Sequence, residues 1–227
     1  MNPGRVPRHG LRELLPRKYL MTFKRSIIAC LTIGLVVAMA ASPASAQDAA
    51  PKRLRGTIES VDGATLKIKP ATGDDVTLRL TEGAKVVAAA KGSLTDVKPG
   101  SYVGIANQVG ADGKQDAVEV HIFPEAMRGT GEGQRPWDLG KSSKMTNGAV
   151  GSKVMAVDGQ NLEITYKGGT STIQVRPNTQ VMLFGPGAAT DLTTGAHVFV
   201  RDAKPGADGV LQAGYIVVGK DGLSPAM

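Results

Sequence analysis

Residues 56–68 read GTIESVDGATLKI, and residues 151–164 read GSKVMAVDGQNLEI. Val61-Asp62-Gly63 matches Val157-Asp158-Gly159, and Leu66 and Ile68 match Leu162 and Ile164, at an offset of 96. Two further matches follow in the same order. LTDVKPGSYVGI (94–105) aligns with TDLTTGAHVFV (190–200), placing Asp96 on Asp191 and Val103 on Val198. ADGKQDAVEVHI (111–122) aligns with ADGVLQAGYIVV (207–218). Ordered matches at a nearly constant offset identify an internal duplication, so the fold is expected to be one unit built twice.

Each copy reads as β. Ile58 and Val61 lead into the Asp62-Gly63 turn, and Leu66 and Ile68 leave it on alternate positions. That is a hairpin pattern, because glycine takes the positive φ of a tight turn at least cost. Val76, Leu78 and Leu80 alternate with the period of a half-buried strand, as do Ile173 and Val175. Val103, Ile105 and Val118, Val120, Ile122 flank the turn at Asp112-Gly113; Val198, Val200 and Ile216, Val218 flank that at Asp208-Gly209. This predicts about five strands per copy, with less regular pieces at 81–99 and 177–194. Five short antiparallel strands leave two raw edges, which closure removes. The expectation is an all-β protein of two tandem small five- to six-stranded antiparallel OB-like or SH3-like barrels, at 52–123 and 149–222, joined by an ordered linker at 124–148. Helix is expected only as a turn at 124–127, where Pro124 suits a first turn, and one near Leu94.

The N-terminal part reads differently. Residues 21–46, MTFKRSIIACLTIGLVVAMAASPASA, carry a basic start at Lys24 and Arg25, an apolar run from Ile27 to Ala41, and the small-residue pattern Ala44-Ser45-Ala46. This is the pattern of a secretory signal peptide, with cleavage expected after Ala46. The apolar run is short for a membrane span, so no stable span is expected after cleavage. Ile27-Ile28-Ala29-Cys30 lies too close to Arg25 for a lipoprotein signal. Residues 1–20 are basic and aperiodic; Met21 is the expected start of translation, and 1–20 a non-native upstream extension. The expected location is the periplasm.

Charge follows from this division. The whole chain carries +7, but residues 1–46 hold seven basic residues and one acid, leaving 20 basic against 19 acidic residues in 47–227. Nucleic-acid binding needs a basic face on the folded part, and the balance gives no support for one. The single cysteine, Cys30, lies in the expected signal, so the exported part has no thiol, disulfide or cysteine metal site.

Candidate chemistry is sparse. His121 and His197 are the histidines after residue 46, and neither has a partner at metal-ligand spacing. His121 follows Glu119 by two, so both side chains share one strand face. The repeated Asp-Gly pairs offer one carboxylate per turn, which is turn chemistry rather than a calcium loop. No G-x-S-x-G elbow or other nucleophile–base arrangement is present. No metal, cofactor or catalytic residue is therefore predicted. The stretch RGTGEGQRPWDLG (128–140) contains Gly129-x-Gly131-x-Gly133, but no helix opens after it, as a phosphate-binding glycine loop requires. It reads instead as an ordered linker whose Trp137 packs on a barrel, with Arg128 and Arg135 pairing Glu132 and Asp138. The candidate binding residues, lining a groove between the barrels, are Arg128, Glu132, Arg135, Trp137 and Asp138.

RGTIESVDG (55–63), KPGSYVGI (98–105), HIFPEAMRGTGEGQRPWDLG (121–140) and VVGKDGL (217–223) resemble the exported DUF5666-domain proteins of Gram-negative bacteria, and the resemblance covers most of 52–224. It implies small OB-like barrels and supplies no catalytic residues. Similar chains are sometimes labelled metal ABC transporter permease, yet a permease needs several membrane spans and this chain has one short apolar segment. The function expected is a non-enzymatic periplasmic binding or interaction module, its partner an envelope protein or a small ligand. The alternative is an accessory solute- or metal-binding component of an envelope ABC transporter, which requires carboxylates and His121 to converge in one cleft.

Overall fold

The computed structural model describes residues 52–156 and 159–226. The expected upstream extension, signal peptide and cleavage point lie outside the described residues. The chain is all-β, with strands β1 (Lys52–Asp62), β2 (Thr65–Pro70), β3 (Val76–Lys91), β4 (Tyr102–Val109), β5 (Gln115–Ile122), β6 (Gly133–Pro136), β7 (Ser143–Ala156), β8 (Gly159–Tyr166), β9 (Gly169–Val175), β10 (Gln180–Pro186), β11 (His197–Pro205) and β12 (Leu211–Gly219). Single 3-10 turns sit at Glu125–Met127 and Ala189–Asp191. Among the described residues, no helix is long and apolar enough to cross a membrane.

The strands confirm the duplication but not the expected closure. β1, β2 and β3 do not form a barrel with β4 and β5. Instead β11 pairs with β1 and β12 pairs with β3, so a closed five-stranded barrel runs β1-β2-β3-β12-β11 and back to β1. Its interior is apolar, with Ile58, Leu66, Ile68 and Leu78 from the first copy against Val198, Val200, Ile216 and Val218 from the second. The reciprocal strands, β4 and β5 of the first copy with β7, β8 and β9 of the second, curl around another core of Val103, Ile105, Val120, Leu162, Ile164 and Ile173. There β5 and β9 meet at a single bridge, Asp116 to Gln174. The expectation that 52–123 and 149–222 each close on themselves is therefore corrected: the last two strands of each copy belong with the first three of the other. The purely antiparallel expectation is corrected as well, since β3–β12 and β5–β10 run parallel.

The cause is β3. The stretch expected to be irregular continues as strand to Lys91, and its counterpart at 180–186 is β10. No turn returns the chain to its own barrel. The two crossing segments pair antiparallel with Phe184 opposite Ala89. Val86 and Val181 each lie beside a closing strand, opposite Ile216 and Val120 respectively, so the two copies exchange places about this pair. Val86-Val87-Ala88-Ala89 is an unbroken apolar run because the crossing strand is covered on both faces. After each crossing, an aspartate caps the turn that follows: Asp96 accepts the Ser93 amide at 2.8 Å, and Asp191 the Ala188 amide at 2.9 Å. Val97 and Leu192 then plug the two cores. A third core lies between them, where Phe199 and Val217 meet Met182 and Phe184.

The first strands align differently from the turns. Gly56 faces Val198 and Gly148 faces Val103, making Gly56 and Gly148 equivalent, although the Val-Asp-Gly match sets Gly56 near Gly151. The second hairpin is four residues longer, and both carry a bulge two to four residues after the glycine. A Cβ on Gly56 would lie 2.4 Å from the Lys69 carbonyl oxygen, and one on Gly148 at 2.4 Å from that of Thr165. Backbone cannot yield as a side-chain tip can. Gly56→Ala and Gly148→Ala are each expected to cost about 1–3 kcal/mol, measured by urea unfolding; parent-like stability in both would show that the strands separate freely here.

Candidate functional site

The linker leaves β5 at Phe123 and is ordered throughout. Pro124 precedes the 3-10 turn, and Arg128 is fastened over it by Glu125, with Nε to Oε1 at 2.5 Å and Nη2 to Oε2 at 2.8 Å. Gly133–Pro136 then pairs with β7, which begins at Ser143, six residues before the expected start of the second repeat. Trp137 follows and is 7% exposed, packed at 6.3 Å from the Phe199 ring in the third core. Its amide donates to the Ser143 carbonyl at 2.9 Å. The Arg53 guanidinium stacks 3.8 Å from the indole centroid, and that of Arg135 lies 5.4 Å away. Cation–π contacts of this kind contribute about 0.5–1 kcal/mol each at exposed positions.

Behind Trp137 lies a small cavity of about 30 Å³, room for a water or a terminal group of a larger molecule. Two of its lining residues each carry a buried polar atom without a hydrogen-bond partner: the Trp137 Nε1 donor and the Asn147 Oδ1 acceptor. The Asn147 amide nitrogen is used, donating to the Thr130 carbonyl at 2.9 Å. Arg135 and Arg201 line the same cavity. Burial, and the neighbouring charges of Arg201 and Arg53, hold the Arg135 guanidinium below its ordinary range, though it stays charged. Gly104 lets Asn147, Phe123 and His121, three of the lining residues, pack closely against β4. A Cβ there would stand 3.0 Å from Asn147 Oδ1 and 3.1 Å from His121 Nδ1. Thr130, Arg201 and Tyr215 also line an open groove of about 750 Å³, walled by the linker turn on one side and Val86, Val87 and Pro186 on the other.

His121 is no ordinary exposed strand histidine. It is fully buried, stacked on Phe184 at 5.1 Å, and its Nε2 donates to Glu119 Oε1 at 2.5 Å. Glu119 Oε2 accepts from Gln180 Nε2 at 2.8 Å and from the Ala226 amide at 2.9 Å. Burial pushes this carboxyl up, but the His121, Ala226 and Gln180 hydrogen bonds outweigh it and hold the group below its usual value. The shared face read from the spacing is thus real, and the pair anchors the C-terminal segment. Among the described residues, no group of three His, Cys, Asp or Glu comes together as a metal would require; the convergence of carboxylates on His121 stops at Glu119.

Of the five predicted binding residues, Arg135 and Trp137 meet in the cavity. The other three are engaged elsewhere, and the expected pairing within the linker is corrected. Asp138 takes a bidentate pair from Arg55 at 2.7 and 2.9 Å, Glu132 accepts the Lys167 amide at 2.9 Å, and Arg128 holds Glu125. Asp138 finds its donor on β1 and Glu132 in the turn between β8 and β9, rather than on their own loop. Asn147, Arg201, Tyr215 and Gly104 complete the site. They come from four strands, β4, β7, β11 and β12, drawn from both copies, and no sequence spacing links them. No family model, curated protein or solved structure matches this chain.

Proposed function

We propose that this is an exported, non-enzymatic binding module of two OB-like barrels, holding a small ligand in the groove beneath its linker. Export rests on the signal pattern of residues 21–46, and the OB-like type rests on the resemblance to DUF5666 proteins. The observation that carries the binding reading is the pair of unpartnered atoms, Trp137 Nε1 and Asn147 Oδ1, on two residues that line one cavity, which shares Thr130, Arg201 and Tyr215 with an open groove. Buried polar groups are nearly always paired, and an unpaired one costs about 1–3 kcal/mol. Two on one wall favour a place where a bound molecule supplies the partners.

Trp137 is the only tryptophan, so its emission reports the site directly. A thermal-shift panel of metals, nucleotides, sugars, carboxylates, phosphates and apolar compounds is expected to yield a stabilising compound that also shifts this emission. Gly104→Ala, which fills the space beside Asn147 Oδ1, is expected to abolish both responses while the circular dichroism stays β. Binding that leaves Trp137 unperturbed and survives Gly104→Ala would move the ligand elsewhere.

A further inference from the structure

The duplication supplies an internal reference for this groove. The linker turn after β5 has a counterpart after β12: the Met127 amide donates to the Pro124 carbonyl at 2.8 Å, and the Leu223 amide to that of Lys220 at 2.9 Å. Each turn walls a groove, one of about 750 Å³ under the linker and one of about 820 Å³ under the C-terminal segment. Two facing positions decide their chemistry. In the C-terminal half of the pair, Glu119 on β5 stands opposite Gln180 on β10. In the linker half, the same positions are Tyr215 on β12 and Lys85 on β3. The first arrangement carries its own carboxylate, satisfied by Gln180, His121 and the Ala226 amide. The second has no carboxylate at that position. It gathers Lys85, Arg201 and Arg135 with the unpartnered Trp137 Nε1 donor, and Asp202 on Arg201 is the neighbouring acid.

We infer that the linker groove takes an amphiphilic oxyanion, its carboxylate or phosphate head reaching Trp137 Nε1, Arg135 and Arg201, and its apolar body lying along Val86, Met127 and Tyr215. This rests on the groove reading above. The head supplies the negative charge that Glu119 supplies at the counterpart position, and guanidinium groups match either oxyanion in fork geometry. A phosphate head in its monoanionic form keeps one O–H that would also give Asn147 Oδ1 the donor it lacks, which a carboxylate cannot.

The test titrates the protein with decanoate, decyl phosphate, decanol and inorganic phosphate, following Trp137 emission. One or both amphiphilic anions are expected to bind saturably, roughly tenfold more tightly than decanol or inorganic phosphate, and the tighter of the two identifies the head. Arg201→Gln, and Lys85→Gln at an exposed position of the groove with little folding risk, are each expected to weaken the anions and leave decanol unchanged. Equal affinity for decanol overturns the anionic head, and equal affinity for inorganic phosphate overturns the apolar body; either leaves the groove reading standing. If neither these compounds nor any in the wider panel perturbs Trp137, both readings fall.

Discussion

A single protease cut between Gly131 and Glu132 is expected to leave a protein that still elutes as one intact species. Both residues are exposed on the linker turn, so an inserted cleavage site is accessible. The two fragments share six strand pairings: β1–β11, β3–β12, β3–β10, β5–β10, β4–β7 and the single β5–β9 bridge. Separating them opens both cores, which is unfolding rather than dissociation. Co-elution under native conditions, and release of two fragments only in denaturant, is the expected result. Two folded fragments that part on a sizing column would show that each copy closes its own barrel. By the same logic, residues 52–123 alone are expected to give no folded monomer, because β1 and β3 lack the strands that cover their edges.

The second large effect is expected at Glu119. Glu119→Ala removes the acceptor of three donors, the buried His121 Nε2 and the half-buried Gln180 Nε2 and Ala226 amide. Breaking a buried pair on one side costs about 3–5 kcal/mol, which for a folded part of this size lowers Tm by roughly 10 °C. The pH dependence has a definite sign. The folded carboxyl lies below its ordinary value, so the unfolded state binds more protons as acid is added. The stabilisation is complete above the unfolded value and is lost as pH falls through the folded one. Glu119→Gln is expected to flatten that acid limb of the stability curve relative to the parent, read by thermal melts across mildly to strongly acid buffers. An unchanged acid limb would show that Glu119 is not the ionised anchor. Limited proteolysis gives an independent readout, since residues 220–226 are expected to become cleavable once the Ala226 amide loses its acceptor.

The duplication, the strands and the burial of Trp137 were legible because they rest on local pattern. Leu66 and Ile68 alternate as a strand wherever that strand is placed, and the hairpin turns carry glycine for backbone reasons. The crossing was not legible for the same reason. Val198 and Ile216 present one apolar face whether they close their own barrel or the other, and period alone cannot name the partner. The one hint was Val86-Val87-Ala88-Ala89, apolar on successive positions as a doubly covered strand should be, inside a piece read as irregular. At the site, Trp137 and Arg135 were accessible to sequence because they neighbour each other. Asn147, Arg201 and Gly104 were not, since a strand exchange between copies brought them together. The linker's first turn has a twin at Lys220–Leu223, so the part without a copy begins at Arg128.

The crossing also sets a timetable for biogenesis. A chain made from its N-terminus presents β1, β2 and β3 first, yet the strands that seal them, β11 and β12, are the last to emerge. Neither the closed barrel nor the second core reaches completion halfway through synthesis, so no early half serves as a finished template for the rest. Open strand edges persist until β11 and β12 are present, and they are the surfaces through which β chains self-associate. Such a chain gains from a holding partner that masks edges, and it remains threadable, without a knot-like folded half, until those two strands arrive.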